Sequence, residues 1–324
     1  MKSKTKYLLN REQISKIFDK AGLGQVDSYY PMGAGEFNSV YCARINNIEY
    51  VLKIAPRVDK SVLTYEKDML ESELKWYERI ANGTNIRVPK VYYIDCSKEI
   101  IDASYFIMEK LNGVQLDKIA VNATDKLAQM ASEIHKIKND KYGYVQNVLY
   151  DNWYLAIRSM TENLIKDAKA KGHKSKRGEK LLQYIDQFKE VLKEAPCCMV
   201  NFDLWSPNVI CDKDDDGNYN FAWIDPERTF WGDFVADFVA LEYGKSIEDK
   251  KIAIESYNAV AKTPLVIDDK IKIRYYVAEA YLALIMEVEK YYRYSIFHVG
   301  WHRNVNSAKF LFNQAFAYLQ SVTL

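Results

Sequence analysis

Cysteine is scarce in this chain. There are 5 in 324 residues, an odd number, and none stands in a Cys-x-x-Cys pair; Cys197 and Cys198 are adjacent. That spacing suits neither a zinc knuckle nor a common disulfide framework and points to reduced thiols in a cytoplasmic protein. An excess of charge of one sign is also missing. Lys plus Arg is 45 and Asp plus Glu is 44, a formal net charge of +1. A chain that coats nucleic acid carries a basic excess, so no nucleic-acid partner is expected. No long apolar run occurs. The most apolar helical stretch, 277–286, contains Glu279 and falls short of the roughly 20 residues a bilayer demands. The basic start, Met1 to Lys6, has no apolar core behind it, so neither a secretory signal nor a membrane anchor is expected.

Aromatic residues, by contrast, are abundant. Tyr 25, Phe 13 and Trp 6 make 14% of the chain, and 48% of all residues are hydrophobic. Many aromatics fall in the last third, around Tyr275, Tyr281, Tyr291 and Trp301. Helix packing is the plain reading, and an aromatic-walled pocket for an organic cation is the functional one. At about 150 residues per domain the length suggests two lobes.

The pattern changes along the chain. Apolar positions at helical spacing run over 9–21; then 26–32, 39–45 and 49–54 read as strands. Asn46-Asn47 between the last two is a tight-turn signal, because Asn tolerates positive φ. A helix is predicted over 65–81, followed by strands at 91–94 and 105–108. The segment 109–113 is polar and ends in Gly113, which suggests a hinge. Beyond it the period becomes helical, with breaks expected near Gly172 and Gly178, a hairpin region over 198–224, and helices in the remainder. The expected division is a nucleotide-binding lobe over 1–108, a hinge at 109–113 and a helical lobe over 114–324. No internal repeat or low-complexity linker interrupts it.

Three groups of residues carry chemistry in this order. Gly33-Ala34-Gly35-Glu36-Phe37-Asn38 sits between two predicted strands, and glycine lets backbone N–H groups approach phosphates. Lys53 interrupts an apolar strand, where a lysine is costly unless paired or used. Glu73 on the next helix is a candidate partner and Glu71 is its rival. Then Asn201-Phe202-Asp203-Leu204-Trp205-Ser206-Pro207-Asn208 puts an acid and an amide five residues apart, and Trp223-Ile224-Asp225-Pro226-Glu227 follows. An acid that takes a hydroxyl proton, with an amide and a second acid as oxygen ligands for Mg²⁺, suits phosphoryl transfer. Asp212-Lys213-Asp214-Asp215-Asp216-Gly217 begins like a calcium loop but has Trp223 at the twelfth position, where a bidentate Glu belongs. It reads as a hairpin turn. The basic run from Lys166 to Lys180 reads as a solvated surface.

Taken together, these groups resemble the aminoglycoside phosphotransferase and choline kinase-like family of small-molecule kinases, over about residues 25–245. The resemblance implies an α+β, two-lobed protein-kinase-like fold, with a small antiparallel-sheet N-lobe and a larger helical C-lobe. It implies ATP or GTP and Mg²⁺ as cofactors. It makes Asp203 the catalytic base, and Asn208 and Asp225 the metal ligands. Gly33, Gly35 and Asn38 would meet phosphates, Lys53 positioned by Glu73 would bind them, and backbone from Glu109 to Leu111 would meet adenine. Asp237 would bond the catalytic loop from behind, and His135 would be a packed helix residue. The family loop usually opens with His, and here Asn201 stands in that place and is expected to take over its hydrogen bond. Protein kinases' Asp-Phe-Gly and Ala-Pro-Glu segments are absent, which favours a small-molecule acceptor.

The acceptor wall is expected from Trp231, Asp233, Glu279, Tyr281, Glu287 and Trp301. Acids with aromatics suggest a cationic acceptor, aminoglycoside-like or an amino alcohol. Asp203-Leu204-Trp205-Ser206 also looks like fructosamine kinases, so a metabolic sugar-amine kinase is an alternative. The rival from another class is a weakly catalytic nucleotide-binding module. Oligomeric state is not legible in the sequence.

Overall fold

The computed structural model describes residues 7–33, 37–56 and 62–322. Gly35 of the glycine-bearing turn lies outside them. Alternation of side chains along the first strands organises the N-lobe. Five strands, β1 (Ser28–Pro31), β2 (Ser39–Ile45), β3 (Ile48–Ile54), β4 (Val91–Asp95) and β5 (Tyr105–Glu109), form an antiparallel sheet in the order β1-β2-β3-β5-β4. Asn46 and Asn47 make the β2–β3 turn with φ of 48° and 66°. On β3, Leu52 and Ile54 face helix α1 (Arg11–Lys20) through Ile14, Ile17 and Phe18. Val51, one step out of phase, packs with Leu70 and Tyr77 of helix α2 (Met69–Gly83). Lys53 shares that second face, which is why it meets α2.

Helix α2 starts later than the predicted 65. Asp68, at φ 55°, turns the chain just before it, and residues Thr64–Glu66 form a separate 3₁₀ turn. Past β5, Gly113 takes φ +121°, and a Cβ there would lie 2.2 Å from the Cys211 carbonyl oxygen. The close approach lets β6 (Val114–Gln115) pair with β8 (Val209–Lys213), which pairs in turn with β9 (Tyr219–Trp223). The acidic run of the calcium-like motif is the β8–β9 turn, closed by Asn218 N–H donating to Asp214 Oδ1 at 2.7 Å.

The C-terminal region is mainly helical: α3 (Ala123–Ile134), α4 (Trp153–Ala170), α5 (Lys176–Gln187), α6 (Lys189–Lys193), α7 (Lys251–Val260), α8 (Asp269–Arg293) and α9 (Val299–Ser321). The break at Gly172 falls between α4 and α5. Gly178 lies inside α5, where a Cβ would sit 2.8 Å from Ile165 Cγ1 and 2.9 Å from Ser175 Oγ. It permits close packing rather than a break. Two short strands, β7 (Cys197–Val200) and β10 (Phe230–Asp233), pair antiparallel, and β7 leads into the loop that carries Asp203. β10 stands within the remainder after residue 224, where helices were expected. Helix α8 is buried on all sides except near its ends, and no helix among the described residues is long and apolar enough to cross a membrane.

Candidate active site

The loop after β7 is built around one buried carboxylate. Asp237, fully buried, accepts the N–H of Asn201 at 3.0 Å and of Phe202 at 2.6 Å. His135 Nε2 lies 2.9 Å from the same carboxylate, and His135 Nδ1 lies 3.0 Å from the Tyr257 hydroxyl. Phe202 adopts the left-handed conformation, φ 58°, a cost for a non-glycine residue that the surroundings must offset. Its ring packs on Phe230 and Tyr281 at 5.2 and 5.8 Å between centroids. Asn201 Oδ1 accepts the N–H of Asp203 at 3.0 Å, so this Asn closes the turn locally with its own side chain.

The hairpin register brings the next two groups together. Val209 of β8 pairs with Trp223 of β9, and the Ile224 N–H donates to the Asn208 carbonyl at 2.9 Å. Asn208 and Asp225 therefore stand side by side at one end of the hairpin. Asp225 is also left-handed, φ 55°, and its N–H donates to the Tyr77 hydroxyl at 3.0 Å. That bond ties the strand end to α2.

Lys53 joins the two lobes. Its ammonium donates to Glu73 Oε2 and Asp225 Oδ1 at 2.7 Å each, and to Glu227 Oε2 at 3.1 Å. Burial alone would lower its pKa, but Asp225, Glu227 and Glu73 together hold it well above the usual lysine range. Glu73 sits on the buried stripe of α2 with Met69, Leu70, Trp76 and Tyr77. Its rival Glu71 is turned away and accepts from Ser104 Oγ at 3.0 Å. Asn38 Nδ2 donates to Glu227 Oε2 at 2.7 Å; its Oδ1 is buried without a partner among the described residues. Gly33 is exposed with φ 38°. At the expected hinge the Glu109 N–H donates to the Lys90 carbonyl at 2.8 Å, and the Glu109 carboxylate accepts from Arg87 at 2.7 Å. Leu111 follows, partly buried.

A cleft of about 180 Å³ is lined by Asn38, Lys53, Asp203, Asp225 and Glu227 together with Glu66, Glu289 and Arg293; Gly33, Glu109, Leu111 and Asn208 are not part of its lining. Burial raises the pKa of Asp203, and Arg228, also in the cleft wall, pulls against that rise. Asn208 and Asp225 supply hard oxygen donors. Two such ligands suit a Mg²⁺ ion that arrives on phosphates and keeps several waters. Among the described residues no cluster of three or more His, Cys, Asp or Glu is arranged to hold a metal alone.

The structure does not bring the expected acceptor wall into this cleft. Trp231 is buried on β10 against Trp76, 5.0 Å between centroids. Asp233 caps the turn after β10 by accepting the Val235 N–H at 3.3 Å and lies 3.2 Å from Arg274. Glu279 accepts from the Tyr275 hydroxyl at 3.1 Å, and Glu287 pairs with Arg177 at 2.9 Å. Trp301 packs on Tyr291. Tyr281 borders a separate cavity of about 280 Å³ shared with Tyr65 and Tyr144. A helix buried all round spends most of its polar side chains on neighbours. α8 reaches the cleft instead through Glu289 and Arg293, one turn apart near its end. Glu227 and Arg228 were also missed, although they directly follow Asp225-Pro226.

The model of the family described as fructosamine kinase matches residues 10–265. The chain belongs to the fructosamine kinase family. This fructosamine kinase family member is thus a small-molecule kinase. A comparison with the sequences of curated proteins finds no match. Among solved structures, one from Haemophilus somnus 129PT, provisionally named fructosamine-3-kinase, is 19% identical with a TM-score of 0.64, covering 94% of this chain and 97% of the other. A thermostable mutant of the aminoglycoside phosphotransferase APH(4)-Ia, in a ternary complex with ADP and hygromycin B, is 14% identical at TM-score 0.60, covering 96% and 99%. The microcompartment-associated aminopropanol kinase is 15% identical at TM-score 0.59, covering 91% and 93%. At these identities the likeness establishes the protein-kinase-like fold.

Proposed function

We propose that this kinase transfers the γ-phosphoryl group of ATP to a hydroxyl of a small, cationic sugar-amine. The observation that carries the reading is the position of Asp203, held by a braced loop in the cleft that also contains Lys53 and Asp225. The family match favours a sugar-amine. So does the charge of the cleft, where Glu66, Asp203, Asp225, Glu227 and Glu289 outnumber Lys53, Arg228 and Arg293. A neighbour of the same fold holds ADP together with hygromycin B.

In this reading Asp203 accepts the hydroxyl proton as the acceptor oxygen meets phosphorus. Lys53 binds the phosphates once they displace part of its carboxylate shell, and Glu73 keeps it in place. Asn208 and Asp225 would hold Mg²⁺, which would neutralise phosphate charge. Asn38 and Gly33 face the phosphate end, and the backbone around Leu111 faces the base. Catalysis is then positioning and charge stabilisation.

The test is phosphate transfer from Mg·ATP, read by mass spectrometry, to fructosamines, aminoglycosides, amino alcohols and homoserine, with Asp203→Ala as control. The expected result is one phosphorylated product class, sugar-amines, with turnover in the variant reduced about 10²–10⁴-fold or more. Unchanged turnover in Asp203→Ala overturns the mechanism. Nucleotide binding with no transfer to any acceptor favours a non-catalytic module.

A further inference from the structure

Phosphoryl transfer spreads negative charge over the three equatorial oxygens of the group in flight, and that charge needs a cation beside the attacking oxygen. The loop from Asp203 to Asn208 offers none: Leu204, Trp205, Ser206 and Pro207 stand between them. The cations of the cleft are unequally committed. Lys53 is 3% exposed and surrounded by three carboxylates. Arg293 is 5% exposed, paired with Glu66 and covered by the Phe37 ring at 4.4 Å. Arg228 keeps 26% of its side chain open and, among the described residues, has one ion pair, to Glu289 at 3.3 Å.

We propose that Arg228 is a further catalytic residue, whose guanidinium donates to the phosphoryl group in flight while Glu289 holds it in place. The inference rests on the phosphotransfer reading above. Three observations support it. Arg228 ends the short turn that begins at Asp225, so it moves with that carboxylate. It lines the same cleft as Asp203 and opposes the rise in that carboxyl's pKa. Glu289 also lies 3.7 Å from Arg293, so the carboxylate that holds Arg228 is itself fixed to a buried cation of the wall. In the step, the acceptor oxygen bonds to the γ-phosphorus as the bond from phosphorus to the β–γ bridging oxygen breaks. The electron pair leaves with ADP, and the acceptor proton goes to the Asp203 carboxylate. Arg228 keeps its protons throughout and donates hydrogen bonds that strengthen as charge develops.

The test compares wild type with Arg228→Gln, Arg228→Lys, Arg228→Ala and Glu289→Gln. Calorimetry measures ADP binding with and without aluminium fluoride, which mimics the planar phosphoryl group and needs no acceptor. In the wild type aluminium fluoride tightens ADP binding. In Arg228→Gln, ADP alone binds within about 3-fold of wild type, but that tightening and kcat both fall about 10²–10³-fold, as for loss of one oxyanion donor. Arg228→Lys recovers part of the rate, and added guanidinium salt restores Arg228→Ala about 10-fold, which a purely structural arginine would not allow. Glu289→Gln loses less than Arg228→Gln. The proposal is overturned if Arg228→Gln keeps the tightening, if ADP alone is weakened as much as the mimic complex, or if neither lysine nor guanidinium recovers rate. A wild type that binds no ADP overturns the phosphotransfer reading itself, and this inference with it.

Discussion

The buried carboxylate of Asp237 accepts the backbone N–H of Phe202 at 2.6 Å and so fixes the turn that carries Asp203 into the cleft. Phe202 is held in the left-handed region at φ 58°, a conformation worth about 1–2 kcal/mol against an ordinary residue. Without Asp237, two buried N–H groups lose their acceptor and His135 loses one of its two partners. Each stranded donor costs about 1–3 kcal/mol. Asp237→Ala is therefore expected to lower stability by roughly 3 kcal/mol or more, read by chemical denaturation. Asp237→Asn keeps one acceptor oxygen. It should stay folded and lose turnover while its affinity for ADP changes little. A fully active, fully stable Asp237→Ala would mean that the loop does not depend on this brace.

Glu73 and Glu71 provide an internal comparison, since both lie on α2 two residues apart. Glu73 meets Lys53 at 2.7 Å, and Glu71 meets Ser104 at 3.0 Å. Glu73→Gln leaves Lys53 under-compensated and free to swing. It should lower kcat/KM for ATP on the order of 10²-fold, the scale of a misplaced catalytic group. Glu71→Gln should leave kcat/KM unchanged and shift stability by no more than about 0.5 kcal/mol. Initial rates at varied ATP separate the two. Equal effects would mean that the Lys53–Glu73 pair has no special role.

The parts of the site that lie close together in sequence were legible there. Lys53 stood out because a charge in an apolar strand needs a reason, and the alternation of β3 then put it on the face of α2. Asp203, Asn208 and Asp225 fall within one loop and hairpin, and of these Asp203 and Asp225 line the cleft. The 3.6-residue period could not separate Glu71 from Glu73, because the choice depends on where Ser104 arrives from a distant loop. The acceptor wall was misplaced for a related reason. Acids on α8 were read as lining a pocket, but that helix is buried nearly all round, and Glu279 and Glu287 are used by Tyr275 and Arg177. Strand β10 was too short to leave an alternating signature; its pairing with β7 comes from tertiary contact, as between Trp231 and Trp76. Glu289 and Arg293 reach the cleft only because the turn at Thr64–Glu66 brings Glu66 against α8, a relationship across more than two hundred residues.

The pH dependence follows from the surroundings of Asp203. Burial raises its pKa; Arg228 lowers it; Glu227, Asp225 and Glu289 add to the rise. A base must be ionised to accept a proton, so activity is present above the folded pKa and lost as pH falls through it. The acid limb of kcat/KM is expected above the value of about 3.9 for an ordinary Asp. Arg228→Gln removes the opposing charge, so its limb should move further up. A limb at the ordinary value, unmoved in the variant, would separate Arg228 from Asp203.

Gly113 and Gly217 both have positive φ, at +121° and +83°, but only at Gly113 does a Cβ meet backbone, 2.2 Å from the Cys211 oxygen. At Gly217 nothing lies within 4 Å. Gly217→Ala should therefore carry the conformational cost alone, about 1–2 kcal/mol, and keep full activity. Gly113→Ala adds a steric clash, which in packed sites costs about 1–3 kcal/mol more. Relief of that clash must push β6 away from β8, where Val114 pairs with Cys211. Strand β8 begins one residue after Asn208, so the strain reaches the end of the hairpin where Asn208 stands beside Asp225. Gly113→Ala should be the less stable of the two by denaturation, and its kcat should fall while that of Gly217→Ala does not. Equal stability with unchanged kcat would mean that the crossing from β5 to β6 tolerates a side chain, and that Asn208 is positioned independently of it.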